Sequence, residues 1–258
     1  TDNELEKKDI RYHENFIKKV LNSGIVGFLK IISKLPFPVI YGISDFFYLV
    51  VRYGIQYRRK VILTNLRSAF PEKKEKEIKK IAGKFYRHFC DFMLESVKMF
   101  SMTEKQMKKR VKFIGLERFE EYYRCGRSLI ILGMHHNNWE WCSAGQLEVS
   151  HQSLMLYNPL RGNRAMENFL LKAREKWGGK CVPVHKSART VLEFNRAGKP
   201  TILWLGADQT PPATSKFWTV FLNREAPFFS GPEKGFILSQ HLYDQLIIRL
   251  YLFKGSIH

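Results

Sequence analysis

Acidic residues are scarce in this 258-residue chain, where 24 aspartates and glutamates face 43 lysines and arginines for a formal charge of +19. Such a surface attracts polyanions: nucleic acid, anionic lipid headgroups or an acidic protein. Cysteine is sparse as well. Cys90, Cys125, Cys142 and Cys181 lie far apart with no CxxC pair, which suits neither a zinc knuckle nor a disulfide framework and points to free thiols in a reducing compartment. No window reaches the roughly 18 uncharged apolar residues of a spanning helix. GxSxG is missing, so no serine nucleophile elbow is expected. HExxH and HxxEH are missing too, so no metal is expected, and there is no recognisable nucleic-acid motif. Internal repeats and low-complexity linkers are lacking. The chain starts at Thr1 with neither methionine nor signal peptide, so it reads as a fragment that an N-terminal membrane anchor could precede.

What is present is enough for a packed core, as one domain or as a domain with a helical extension: 45% of residues are apolar and 14% aromatic. The most apolar part is IVGFLKIISKLPFPVIYGISDFFYLVVRYGIQY, residues 25 to 57, interrupted by Lys30, Lys34, Asp45 and Arg52 and broken at Pro36 and Pro38. It reads as a bent pair of core helices or as an interfacial hairpin with lysines and aromatics at headgroup level; the neighbouring Arg58, Arg59 and Lys60 favour the interface. After Pro71, Ile78, Ile81, Ala82, Phe85, Phe89, Phe92, Met93, Val97 and Phe100 recur at helical spacing. That spacing predicts an amphipathic helix with a core face and a solvated lysine-rich face.

After about Val111 the rhythm changes. SLIIL, LMLY, KCVPV and TILWLGAD read as short buried strands, separated by helical patterns. NRAMENFLLKAREKW puts Ala165, Met166, Phe169, Leu170, Ala173 and Trp177 on one face, and SARTVLEFNRAG has Ser187 as N-cap and Gly198 as its stop. Strands alternating with helices predict an α/β sheet with helices packed on it.

Directly after SLIIL comes GMHHNNWEW, Gly133 to Trp141. His135 and Glu140 are five residues apart, about 140° on one helix, and so would not share a face. They can meet if His135 sits on the turn after the strand and Glu140 in the first turn of a following helix capped by Asn137 or Asn138. The carboxyl ends of strands are where open α/β sheets bind ligands. A histidine there, oriented by a carboxylate, is a general base that activates an incoming hydroxyl. The rival readings are a metal site at His135, His136 and Glu140, and a pair of polar caps over a core.

HHNNWE resembles the HxxxxE/D signature of the bacterial lipid A biosynthesis acyltransferases, the late acyltransferases of the lauroyl and myristoyl type. Close relatives read H-x-G-N-W-E, with Asn137 here in place of Gly. TNLRSAFPEKKEKEI upstream and YNPLRGN, AREKWGG, LGADQTPP and VFLNREAPFFSGPEK downstream follow in the family's order, so that the likeness runs from about Val26 to Lys234. Beyond Lys234 it is lost, and a truncated or frame-shifted end is expected there.

The resemblance implies a glycerolipid-acyltransferase-like mixed sheet flanked by helices (residues 111–258, atypical after about 234), with a helical, membrane-associated N-terminal region (residues 1–110). It implies acyl transfer from an acyl carrier protein thioester to a hydroxyl of a lipid A precursor, without cofactor or metal, at the cytoplasmic face of the inner membrane. The implied partners are acyl carrier protein, anionic lipid and the lipid A precursor, not nucleic acid. His135 would take the hydroxyl proton and Glu140 would hold His135. Arg174, Asp208 and Asn138 would contact substrate, Arg174 at the substrate or the oxyanion, and Asp208, with Gln209, as a structural or acceptor-side contact. Arg164 and Arg189 are read as solvated helix arginines. The alternatives are another glycolipid or aminolipid acceptor, and a non-catalytic basic membrane-binding protein.

Overall fold

The computed structural model describes residues 14–206, 208–209, 211 and 215–228, and the backbone of 250–252. Helix α1 (Phe16–Lys34) starts at Asn15, whose side chain accepts from the Lys18 amide, and ends where Leu35 and Pro36 turn extended. Helix α2 (Phe37–Leu49) begins with that proline turn and runs on into a π-helical stretch, Val50–Gly54. After α3 (Arg59–Ala69), the long α4 (Glu75–Met99) carries the N-terminal part. Ile32 of α1, Ile40 of α2 and Leu94 of α4 form the cluster that joins the three.

Helix α4 is amphipathic as predicted, but its seam is rotated. Ile78, Ala82, Tyr86, Cys90 and Leu94 are buried, while Phe85 and Met93 are exposed. The rotation also buries Asp91 and Glu95. These are tolerated because they take hydrogen bonds from α2, Ser44 to Asp91 and Tyr41 to Glu95, both at 2.8 Å.

Helix α5 (Glu104–Arg110), with a Thr103–Gln106 capping box, leads through β1 (Val111–Phe113) and α6 (Glu117–Arg124) into the sheet. Strands β2 (Leu129–Gly133), β3 (Gln152–Tyr157), β4 (Lys180–Pro183) and β5 (Thr201–Gly206) form it in the order β2-β5-β3-β4, every pairing parallel. The connections run through a 3₁₀ segment (Trp139–Glu148), α7 (Arg164–Glu175) and α8 (Ser187–Arg196).

All four strands lie where the alternation of apolar runs predicts. The sheet, however, is parallel rather than mixed: among the described residues the antiparallel pairings stand apart from it, β6 (Phe217–Phe221) with β7 (Arg224–Phe228), and β1 with β8 (Leu250–Leu252). Helix α8 also starts differently. Ser187 is its first residue rather than its cap, its hydroxyl donating to the Val184 carbonyl, while Gly198 at φ 65° supplies the predicted stop. The expected atypical end after Lys234 falls almost wholly outside the described residues.

Leu154 of β3 is fully buried against Val182 and Val191. Leu154→Ala should lower unfolding free energy by about 2–5 kcal/mol, because the sheet and α8 cannot both close on the cavity; a chemical-denaturation midpoint shift measures it.

Candidate active site

The site is built by strand register. β2 and β5 pair in parallel with Gly133 opposite Gly206, so residues two positions beyond each glycine leave the same edge of the sheet side by side. These are His135 and Asp208. One Asp208 oxygen accepts from the His135 backbone amide at 2.7 Å, and the other lies 2.7 Å from the ring Nδ1. A carboxylate only accepts, so Nδ1 carries the proton and Nε2 is left with its lone pair. Gly206 is needed at this spot. A Cβ there would come within 2.6 Å of His135 Cε1, so the ring would have to turn away and strain its Nδ1 hydrogen bond to Asp208.

The turn after β2 is tight. Asn137 sits at φ 54°, a left-handed conformation that asparagine and glycine tolerate best, which explains Asn137 where the resembling motif has glycine. The chain then enters the 3₁₀ segment with Glu140 in its first turn. Glu140 is 7% exposed and receives a two-point grip from Arg174, Nε to one oxygen at 2.7 Å and a terminal nitrogen to the other at 2.6 Å. The surrounding core sets this pairing, since Ala173 and Trp177 on either side of Arg174 pack with Trp141 and Ala144 in one cluster.

The expected His135–Glu140 hydrogen bond is therefore absent. Both Glu140 oxygens are on Arg174, and the partner of His135 is Asp208. Trp139 stands between the two pairs, its ring edge-on to His135 at 4.6 Å between centroids and 5.3 Å from the Arg174 guanidinium carbon. Five residues of sequence separation bring His135 and Glu140 into one site, but as members of two different pairs.

Asn138 also departs from expectation. Its side chain does not cap the following segment: it is 2% exposed, and its amide nitrogen donates to Glu95 of α4 at 2.7 Å. Arg189 lies away from the site, exposed and bonded to Glu193 one turn along its helix, and Gln209 and Arg164 are exposed. Among the described residues no three histidine, cysteine, aspartate or glutamate side chains converge on a point. Glu95, which bonds the loop through Asn138, and Tyr41, which bonds Glu95, are residues that the sequence motifs do not single out. Their signal was an acidic pair, Asp91 and Glu95, at helical i,i+4 spacing on an otherwise lysine-rich helix.

A model of the family described as bacterial lipid A biosynthesis acyltransferase matches residues 9–241. The chain belongs to this family. Two curated lipid A acyltransferases are similar to it: the lipid A biosynthesis lauroyltransferase of Escherichia coli, 23% identical over 211 residues, and the lipid A biosynthesis acyltransferase of Haemophilus influenzae, 23% identical over 176 residues. These alignments take in 80% and 67% of this chain. The chain spans 66% of the first relative's length and 54% of the second's. In this chain His135 and Glu140 lie in one site, each held by a different partner, Asp208 and Arg174.

Two cysteines close to the Glu140–Arg174 pair are chemically quiet. Burial, aided by the Glu140 charge, pushes the Cys142 thiol up to about 12, and burial with Glu175 does the same for Cys181. Deprotonation, and with it nucleophilicity, is suppressed at neutral pH. Iodoacetamide at pH 8 should therefore modify exposed Cys125 in the folded protein and leave Cys142 and Cys181 unlabelled until the protein is unfolded, as peptide mass mapping would record.

Proposed function

We propose that the protein transfers a fatty acyl chain from an acyl carrier protein thioester to a hydroxyl of a lipid A precursor, at the cytoplasmic face of the inner membrane. The observation that carries the reading is the two-point clamp of Asp208 on His135, which leaves Nε2 as a base on a partly exposed ring. The acceptor hydroxyl gives its proton to Nε2 as its oxygen bonds to the thioester carbonyl carbon. Asp208 stabilises the imidazolium that forms. The tetrahedral intermediate collapses by breaking the C–S bond, and the imidazolium proton goes to the departing sulfur.

Arg174 is a cation beside this step that the fold fixes in place. Glu140 holds two of its nitrogens, and its guanidinium lies beside the same Trp139 that touches His135. In that position it stabilises the oxyanion or a substrate oxygen, and Glu140 acts by holding it. No nucleophile is required of the protein, in keeping with the unreactive Cys142 and Cys181. The family likeness favours the lauroyl and myristoyl class of donors and a glucosamine-based acceptor, over another glycolipid or aminolipid.

A second observation supports the membrane setting. Among the described residues no helix is long and apolar enough to cross a membrane. Yet α1 exposes Phe16, Ile17, Leu21, Phe28 and Ile31, and α2 with the stretch after it exposes Phe46, Leu49 and Ile55. Arg58, Arg59 and Lys60 follow, all exposed. We read this as a surface that lies in the lipid interface.

Two measurements test the reading. With radiolabelled acyl carrier protein as donor and membranes carrying the acceptor, His135→Ala and Asp208→Asn should each lower kcat by about 10²–10⁴-fold. Asparagine at 208 would donate to Nδ1 and drive the proton onto Nε2. Activity equal to wild type in both variants would rule out the mechanism, and no turnover in wild type would favour a binding protein. In flotation with anionic liposomes, binding should weaken with salt yet persist. Each basic residue near the surface contributes about 1 kcal/mol that salt screens, while buried apolar area is unaffected. Complete release at moderate salt would show that only charge holds the protein down.

A further inference from the structure

The loop that carries His135 is held from two sides, and only one of them is the strand edge. On the far side stands Glu95 of α4, 7% exposed. One of its oxygens accepts from the Asn138 amide at 2.7 Å and the other from the Tyr41 hydroxyl at 2.8 Å, while its backbone carbonyl accepts from the Trp141 indole at 3.3 Å. Leaving a carboxylate this deeply buried is costly unless donors surround it. One of the carboxylate's donors, Asn138, comes from the loop after β2, and Trp141 in the 3₁₀ segment that follows adds its bond to the Glu95 backbone carbonyl. Between His135 and Asn138 the backbone is irregular, with Asn137 left-handed and Asn138 at φ −91°, ψ 73°. Side chains rather than a backbone ladder must hold such a segment.

We infer that Glu95 is a positioning residue for His135, acting through Asn138 to fix the loop against α4 so that Nε2 faces the acceptor hydroxyl. Asp208 fixes the ring at one end of a four-residue span, and Glu95 fixes the other end. Tyr41 extends the same connection into α2, the helix that presents Phe46 and Leu49 outward, and Arg110 of α5 reaches the Tyr41 hydroxyl at 3.4 Å. Burial, and then the Glu95 charge, push the Tyr41 phenol well above its ordinary range, so it remains a donor at any working pH. The inference rests on His135 being the base of the proposed transfer, but its structural half is measurable without turnover.

The test compares Glu95→Leu, Glu95→Gln and Asn138→Ala in the full chain. The readouts are amide hydrogen exchange over residues 133–141 and over β3, and kcat and KM with the acyl carrier protein thioester. Glutamine can accept from Asn138 through its oxygen and donate to the Tyr41 hydroxyl through its amide, so it preserves the link. In Glu95→Leu, exchange in the loop should rise about tenfold while β3 stays protected. In the same variant kcat should fall about 10²-fold, the scale of a 1 Å misplacement, with KM within about threefold. Glu95→Gln should return both to near wild type. Should Glu95→Leu fail to fold, Asn138→Ala breaks the same link from the loop and should give the same selective pattern. Loop exchange that does not change in the variants, or that rises only in step with β3, overturns the inference. Selective loosening of the loop in a protein whose wild type shows no transfer would uphold the positioning by Glu95 and reject the proposed function instead.

Discussion

Everything at this site depends on the parallel register of β2 and β5. Because Gly133 pairs with Gly206, the two chains leave the sheet in step, and the second residue after each glycine meets the other. A shift of one residue would turn alternate side chains to the opposite face and separate His135 from Asp208. The register is held by the core beneath it, where Leu129, Ile131 and Ile202 are packed with Phe119 of α6. The chemistry at the strand ends is thus fixed by apolar contacts lower in the sheet, and the glycine at 206 lets the imidazole lie close against the neighbouring strand.

A second layer is built on this edge by helices that precede and follow the loop in the chain. Helix α7 supplies Arg174 to Glu140, and α4 supplies Glu95 to Asn138. Neither contact touches His135, yet both hold the segment that carries it, with Trp139 between them. Buried ion pairs seldom add much stability over an apolar core, because desolvation offsets most of the attraction. What the Glu140–Arg174 pair gives is direction: two hydrogen bonds at 2.6 and 2.7 Å allow one orientation of guanidinium and carboxylate. Helix α2 joins this arrangement through Tyr41 and Ser44, and α1 joins α4 through the Ser33 carbonyl, which accepts from Lys98, so the apolar surface and the loop share one support.

The fold was legible where the pattern is local. The four strands and α7 follow from apolar runs and helical periodicity, and Gly198 ends α8 as its residue type suggests. The functional loop was legible too, because two histidines and a carboxylate directly after a buried strand conflict with simple core packing. The pairing inside the site was not. Sequence nearness suggested His135 with Glu140, whereas the hydrogen bonds are set by contacts 73 and 34 residues away, Asp208 and Arg174. Such contacts depend on strand order, and the order β2-β5-β3-β4 cannot be read from spacing. Glu95 escaped for another reason. Its helix was judged by apolar period alone, and a buried carboxylate carries no apolar signal.

Asp208, not Glu140, holds the His135 imidazole with its proton on Nδ1. Nitrogen-15 NMR of the labelled histidine reads this directly. The expected result is a downfield proton coupled to Nδ1 and an unprotonated Nε2 in the neutral ring, with the signal lost in Asp208→Asn and kept in Glu140→Gln. A proton found on Nε2, or a signal that Glu140→Gln abolishes and Asp208→Asn leaves intact, would contradict it.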